Sequence, residues 1–171
     1  GAANENPALS LTRENRRCDK LGNIREVDRV LGNVEKLDAA LLGAGERIQV
    51  SDIMDAPEAD TPLITGFEGR TRAFVQVQRG CDYRCTYCIV PFARGPSHSL
   101  PPEHVVEQVR ELCDNGHVEV VLTGVDVCSY GTDLHDRPTL GGLAARILAD
   151  LPNLARLRLT TVDPAAFDED M

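Results

Sequence analysis

The stretch "RAFVQVQRGCDYRCTYCIVPFARG", residues 72–95, sets the reading of everything around it. Its opening "RAFVQVQ" alternates apolar and polar side chains, the period of a strand with one buried face, and it runs directly into Gly80 and a cysteine loop. Cys81, Cys85 and Cys88 then fall on that one loop. Three thiolates crowded together repel one another unless a cation holds them, and each needs such a setting to stay ionised at neutral pH. The grouping therefore points to metal ligation. Two metals stay open: zinc in a closed site with His98 as a fourth ligand, or a four-iron cluster held by three cysteines with one iron left free. The loop's place at the C-terminal end of a strand favours the free-iron reading, because parallel α/β sheets bind ligands there. Three unrelated reduced thiols are the bland alternative.

Downstream the chain keeps the same grammar. "PPEHVVEQVRELCDNG" puts Val105, Val106, Val109, Leu112 and Cys113 on one helical face, with prolines at its start and Gly116 just past its end. "VEVVLTG" is short, β-branched and apolar, the signature of a buried strand. "TLGGLAARILADLP" spaces Leu140, Leu143, Ile147 and Leu148 as a helix with Thr139 as its cap, and "LARLRLTTVD" reads as a third strand. Strand, helix, strand, helix, strand predicts an α/β fold with a parallel sheet and right-handed crossovers. Three strands do not close a barrel, so the expectation is a partial one with exposed edges.

Upstream, the first twenty or so residues are polar, charged and without period. The second half of "REVDRVLGNVEKLDAALL" places Val34, Leu37, Leu41 and Leu42 at helical spacing behind Asn33 as an N-cap. "SDIMDAPEADTPLITGFEG", rich in proline, glycine and acids, reads as a linker. The expected organisation is thus residues 1–50 as one unit, 51–69 as the linker and 70–171 as the sheet-bearing unit.

Composition bounds the rest. Of 171 residues, 42% are hydrophobic and 26% charged, which is the balance of a globular protein. No apolar run approaches the roughly 20 residues of a membrane span, and "GAANENPALS" lacks a signal peptide's basic and apolar regions. A cytoplasmic setting follows as the expectation, one in which clustered cysteines mean metal or catalysis more often than disulfides. The net charge of -9 argues against strong binding of a phosphate backbone by this chain alone.

Cys81, Cys85 and Cys88 match the C-x3-C-x2-C signature of radical S-adenosylmethionine enzymes, including the aromatic residue before the third cysteine. "QRGCDYRCTYCIVPFARGPSHS" resembles the methylthiotransferase branch of that superfamily, and "EVVLTGVDVCSYGTDL", "LARLRLTTVD" and "EVDRVLGNVEKL" extend the likeness. Within the branch the chain most resembles enzymes acting on N6-threonylcarbamoyladenosine beside the tRNA anticodon. The resemblance implies a partial radical SAM (β/α) barrel, preceded by the end of an α/β methylthiotransferase N-terminal domain. It implies that Cys81, Cys85 and Cys88 each hold one iron of a 4Fe-4S cluster. The fourth iron would chelate S-adenosylmethionine, and an electron from the cluster would split the sulfonium to give a 5′-deoxyadenosyl radical. Tyr87 matches an aromatic position near the adenine. Gly124, Val125 and Asp126 match the segment that contacts the methionine amino group, where a carboxylate suits an ammonium. Thr160 and Thr161 occupy a place where relatives often carry serines lining the same cavity. The partners implied are a tRNA substrate and an electron donor protein, with neither membrane nor DNA.

Each of these residues also has a plainer role to weigh. Tyr87 reads equally as a packing aromatic, Asp126 as a loop or capping acid, and Thr160 and Thr161 as strand ends. Arg94 suits a phosphate contact or a surface ion pair, Cys113 and Cys128 suit packing, and His98, His104, His117 and His135 suit solvated or capping roles. Relatives of this branch hold a second cluster on three N-terminal cysteines, whereas here only Cys18 precedes "EVDRVLGN" and Thr12 falls nearer the expected place. Later barrel strands and an RNA-binding domain are also missing from the pattern, so a fragment is expected. Other substrates of the branch, isopentenyladenosine in tRNA or a ribosomal-protein aspartate, stand as alternatives, as does a non-catalytic zinc or structural module.

Overall fold

The computed structural model describes residues 20–43, 45–54, 64–66, 69–164 and 167. Cys18 and Thr12 lie outside the described residues. The chain divides into two compact units, one formed by Gly1–Thr61 with Phe92–Gly95, the other by Pro62–Pro91 with Pro96–Met171.

The first unit carries two short parallel strands, β1 (Val30–Leu31) and β2 (Ile48–Gln49). Between them the expected single helix does not form. A 3-10 turn, Glu35–Leu37, is followed by Asp38 in an extended conformation, and only then comes α1, Ala39–Gly43. Asp38 breaks the helix because its carboxylate competes for the backbone, accepting from Ala40 N at 2.9 Å. Asn33 is not an N-cap: its Nδ2 donates to the Ala93 carbonyl at 2.7 Å and its Oδ1 accepts from Lys36.

The second unit is a mixed α/β structure with a four-stranded, half-barrel sheet in the order β4-β3-β5-β6. Strands β3 (Arg72–Arg79), β5 (Glu119–Gly124) and β6 (Arg156–Leu159) are parallel, as read from the sequence, and α3 (Pro102–Asp114) and α4 (Leu140–Asp150) connect them. A five-residue helix, α2 (Val90–Arg94), of which Phe92–Arg94 belong to the first unit, follows the cysteine loop, and β4 (His98–Ser99) returns antiparallel to β3. Two residues are too few to carry a period, so β4 leaves no mark in the sequence.

The core forms where the helical stripes meet one face of the sheet. Ala73, Val75 and Val77 of β3 and Val120 and Leu122 of β5 pack with Val105, Val109 and Leu112 of α3 and Leu140, Leu143 and Ile147 of α4. Each valine, leucine or isoleucine among them stabilises by about 1.5–3 kcal/mol on full burial. Leu148, expected on this stripe, is half-exposed instead. The α3 terminus closes as a Schellman motif: Gly116 has φ +90, its N–H reaches Cys113 O at 2.9 Å, and His117 N reaches Leu112 O at 3.0 Å. Thr139 caps α4 as expected, its hydroxyl accepting from Gly142 N at 3.0 Å. Tyr130 is buried and donates to Leu100 O at 2.7 Å. Burial, reinforced by the charges of Glu103 and Asp133, pushes its phenol well above the usual range.

The opposite face of the sheet holds a charged cluster. Glu119, buried and directly opposite Arg72 and Arg156 in the strand register, sits 2.8 Å from Arg72 Nε, 3.2 Å from Arg156 Nη1 and 3.1 Å from Arg158 Nε. Burial works against its ionisation, but the charges of Arg158 and Arg72 and the hydrogen bond from Arg156 outweigh it and hold the carboxyl below the usual range. The stabilisation is complete above the ordinary glutamate pKa of about 4.3 and is lost as pH falls through the lower folded value. Glu119→Gln should therefore destabilise the protein at pH 7. Urea melts across pH should show the gap from wild type closing below about pH 4.

Candidate metal and cofactor site

The site begins where the alternation of β3 breaks. Gln76 pairs with Thr123 and Gln78 with Gly124, so the register to β5 shifts between Gln76 and Gln78. An irregularity of this kind re-aims a side chain. Here Val77 and Gln78 are consecutive and both are buried, Gln78 with only 1% of its surface exposed. The Gln78 amide is fully used. Its Nε2 shares two hydrogens among three acceptors, Arg79 O at 2.8 Å, Gly80 O at 2.9 Å and Ser97 Oγ at 2.9 Å. Its Oε1 accepts from Val125 N at 3.0 Å and Asp126 N at 2.8 Å.

Two glycines flank this amide. Gly80, with φ +69, turns the chain out of β3 in a conformation that side chains disfavour. At Gly124 a Cβ would lie 2.8 Å from Gln78 O, 2.9 Å from Gln78 Oε1 and 2.9 Å from Val127 Cγ1, closer than real contacts allow. The backbone at the end of β5 can therefore approach the amide only as glycine.

Residues 81–89 then form a loop with little regular structure beyond a turn in which Cys88 N donates to Cys85 O at 3.0 Å. Asp82 anchors it, accepting from Ser97 N at 3.0 Å. All three cysteines are free thiols, Cys81 and Cys88 half-buried and Cys85 exposed. The donors fit an iron-sulfur cluster or zinc, since soft thiolates suit both. Among the described residues no three His, Cys, Asp or Glu side chains converge on a point that would hold a single metal ion. A four-iron cluster asks less of them, because each thiolate binds a different iron. The fit rests on three free thiols sharing one exposed loop.

The apolar surroundings of the loop are uncovered. Tyr87 is 90% exposed, and Tyr83 and Ile89 are also largely in solvent. Tyr87 is thus not buried against the described residues.

At the ends of β5 and β6, on the same side of the parallel sheet, lie the other residues read from sequence. Asp126 is partly buried and accepts from Ser129 Oγ at 2.6 Å through Oδ2, in addition to its N–H bond to Gln78. Its side chain makes no backbone cap on the 3-10 turn it precedes. Thr160 donates its hydroxyl to Leu122 O at 3.0 Å, as a strand-end threonine does. Thr161 holds φ +54, a sterically costly conformation for a β-branched residue. The structure thus joins Val125 and Asp126 to the start of the cysteine loop through Gln78, and Thr160 to β5 through Leu122.

The remaining residues fall outside this arrangement. Arg94 is exposed, and no ion pair to it occurs among the described residues. Cys113 and Cys128 pack partly against the core, and Cys128 Sγ accepts from Asp163 N at 3.2 Å. His104 and His135 are exposed, His98 lies in β4 opposite Arg79, and His117 is buried rather than solvated. Gln78 is the residue that sequence reasoning missed. Its only trace is a polar side chain beside the Gly-Cys junction.

The family model for the Radical SAM superfamily matches residues 75–169, from within β3 to beyond β6, and the chain belongs to that superfamily. Membership implies a 4Fe-4S cluster and S-adenosylmethionine as cofactors. More particularly, the chain is 45% identical over 151 residues to threonylcarbamoyladenosine tRNA methylthiotransferase MtaB of Rickettsia prowazekii, covering 88% of this chain and 36% of that protein. It is 38% identical over 141 residues to a putative methylthiotransferase of Helicobacter pylori, covering 81% and 32%. It is 32% identical over 154 residues to tRNA-2-methylthio-N(6)-dimethylallyladenosine synthase of Moorella thermoacetica, covering 88% and 32%. The chain spans about a third of the length of these curated relatives.

Thiol reactivity gives a direct check on the loop. Burial, with the charge of Asp114 adding to it, pushes the Cys113 thiol up, whereas Cys85 stands in solvent. Iodoacetamide at neutral pH, followed by peptide mass spectrometry, should label Cys85 well before Cys113.

Proposed function

We propose that this chain carries the cluster-binding part of a tRNA methylthiotransferase that adds a methylthio group to C2 of N6-threonylcarbamoyladenosine next to the anticodon. The observation that carries the reading is the loop leaving β3, with three free thiols beside a fixed backbone segment at the end of β5. Cys81, Cys85 and Cys88 hold the cluster. Tyr87, exposed beside Cys88, lies against the adenine of the cofactor, and the Asp126 carboxylate faces its ammonium group. Asp126 Oδ1 has no hydrogen bond from the described residues and is left available for that contact. Gly124 allows the backbone to come close, and Thr160 lines the far side of the same strand ends. The cluster and S-adenosylmethionine, when bound, supply one-electron reduction and radical chemistry. The chain's own part is to bind, to orient and to keep the two ligands adjacent.

One comparison at equal coverage supports the choice of substrate. Over 88% of this chain, identity to the threonylcarbamoyladenosine enzyme of Rickettsia prowazekii is 45%, against 32% to the dimethylallyladenosine enzyme of Moorella thermoacetica. The tRNA and an electron donor protein are the partners of this reading. Among the described residues no helix is long and apolar enough to cross a membrane.

Anaerobic iron-sulfur reconstitution of the chain tests the reading. The reduced protein should show an electron paramagnetic resonance signal that changes on adding S-adenosylmethionine and is lost in Cys85→Ala. A folded chain that takes up zinc but no iron and sulfide would replace the radical reading with a structural metal module.

A further inference from the structure

We propose, resting on the cofactor reading above, that Gln78 is a positioning residue that fixes the cysteine loop and the backbone of residues 124–126 at the separation one bound S-adenosylmethionine requires. The two segments leave different strands, and each is open to solvent at its outer part, where Cys85, Tyr87 and Val125 are exposed. One buried amide holds both. Its donor side grips Gly80 O, one residue before Cys81, and its acceptor side grips the N–H groups of Val125 and Asp126. A ligand that binds the loop's open iron and the Asp126 carboxylate together needs that spacing set before it arrives, because ordering either segment on binding lowers affinity.

The chemistry also explains why the residue is glutamine. A primary amide donates on one side and accepts on the other without charge, and it offers two donor hydrogens to the several acceptors gathered here. Ser97 completes the device. Its hydroxyl accepts from Gln78 and its N–H donates to Asp82, inside the cysteine loop, so the amide's grip extends past Cys81. The close approach at Gly124 removes slack on the opposite side. None of these atoms need touch the cofactor, so Gln78 acts through the segments it holds.

Gln78→Met keeps the length and removes both donor and acceptor. In the full chain without cluster, amide exchange by NMR should show Val125 and Asp126 exchanging about tenfold faster than in wild type, or more. After reconstitution the variant should still bind iron and sulfide through its three cysteines. The S-adenosylmethionine concentration that half-converts the reduced cluster's paramagnetic signal should rise about tenfold or more. Val109→Ala, a core change in α3 chosen to cost at least as much stability, controls for general loosening and should leave that concentration near wild type. If Gln78→Met does not fold, Gln78→Glu retains the acceptor side. It should keep the two amides protected and still weaken the response to the cofactor.

Unchanged exchange at Val125 and Asp126 in Gln78→Met overturns the inference, as does an equal loss of response in Val109→Ala. A normal cofactor response in a folded Gln78 variant overturns it too, while leaving the cofactor reading intact. A wild-type chain that binds cluster but ignores S-adenosylmethionine overturns that reading itself, and the inference with it.

Discussion

A buried amide must find partners for its donors and its acceptor, and Gln78 finds them in two different loops. That demand shapes the end of the sheet that bears the cysteines. The register shift after Gln76 turns the side chain inward, Gly80 turns the chain outward, and Gly124 lets the neighbouring strand close against the amide. Leaving any one of these polar atoms buried without a partner would cost about 1–3 kcal/mol. The arrangement is therefore costly to open at any one contact, so a loop of low regularity can still start from a defined point.

The other end of the sheet meets its polar demand differently. Glu119 enters a run of otherwise apolar residues and is buried on a central strand, where an unpaired carboxylate would be costly. Arginines from β3 and β6 surround it, so the ion cluster ties the three parallel strands across their width. Glu119 Oε1 makes no aligned hydrogen bond despite its short contacts to Arg72 and Arg158, which marks the cluster as charge pairing more than directed bonding. The sheet is pinned by charge at its N-terminal end and by a neutral amide at its C-terminal end. A neutral clamp beside the cysteine loop adds no net charge of its own where, on the proposed reading, three thiolates and a cationic cofactor would be balanced.

Much of the fold was legible because its signals are periodic and local. The β3, β5 and β6 strands, the stripes of α3 and α4, the glycine closing α3 and the Thr139 cap each occupy enough residues, or a specific enough position, to be read directly. Three features were not. The helix read across residues 34–42 is broken by Asp38, whose side-chain competition for the backbone is invisible to a hydrophobic pattern. Strand β4 is two residues long. Leu148 keeps helical spacing yet points off the buried stripe, since spacing alone does not say where a stripe ends. The candidate site divides the same way: the cysteines announce themselves by type and spacing, whereas Gln78 matters through partners 47 and 48 residues away.

That separation says something about how such a site can be built. On the proposed reading the cysteine loop needs latitude, because its thiols, half-buried or exposed, would have to close around a bulky cluster. The strands beneath it need the opposite, and the apolar run of β5, covered on both faces, gives them rigidity. A joint between a yielding loop and a rigid sheet has to be strong, local and indifferent to charge. Gln78 meets those conditions at the last residue pair before β3 and β5 part, so the order of the core is passed to the loop at the point where the sheet can no longer supply it.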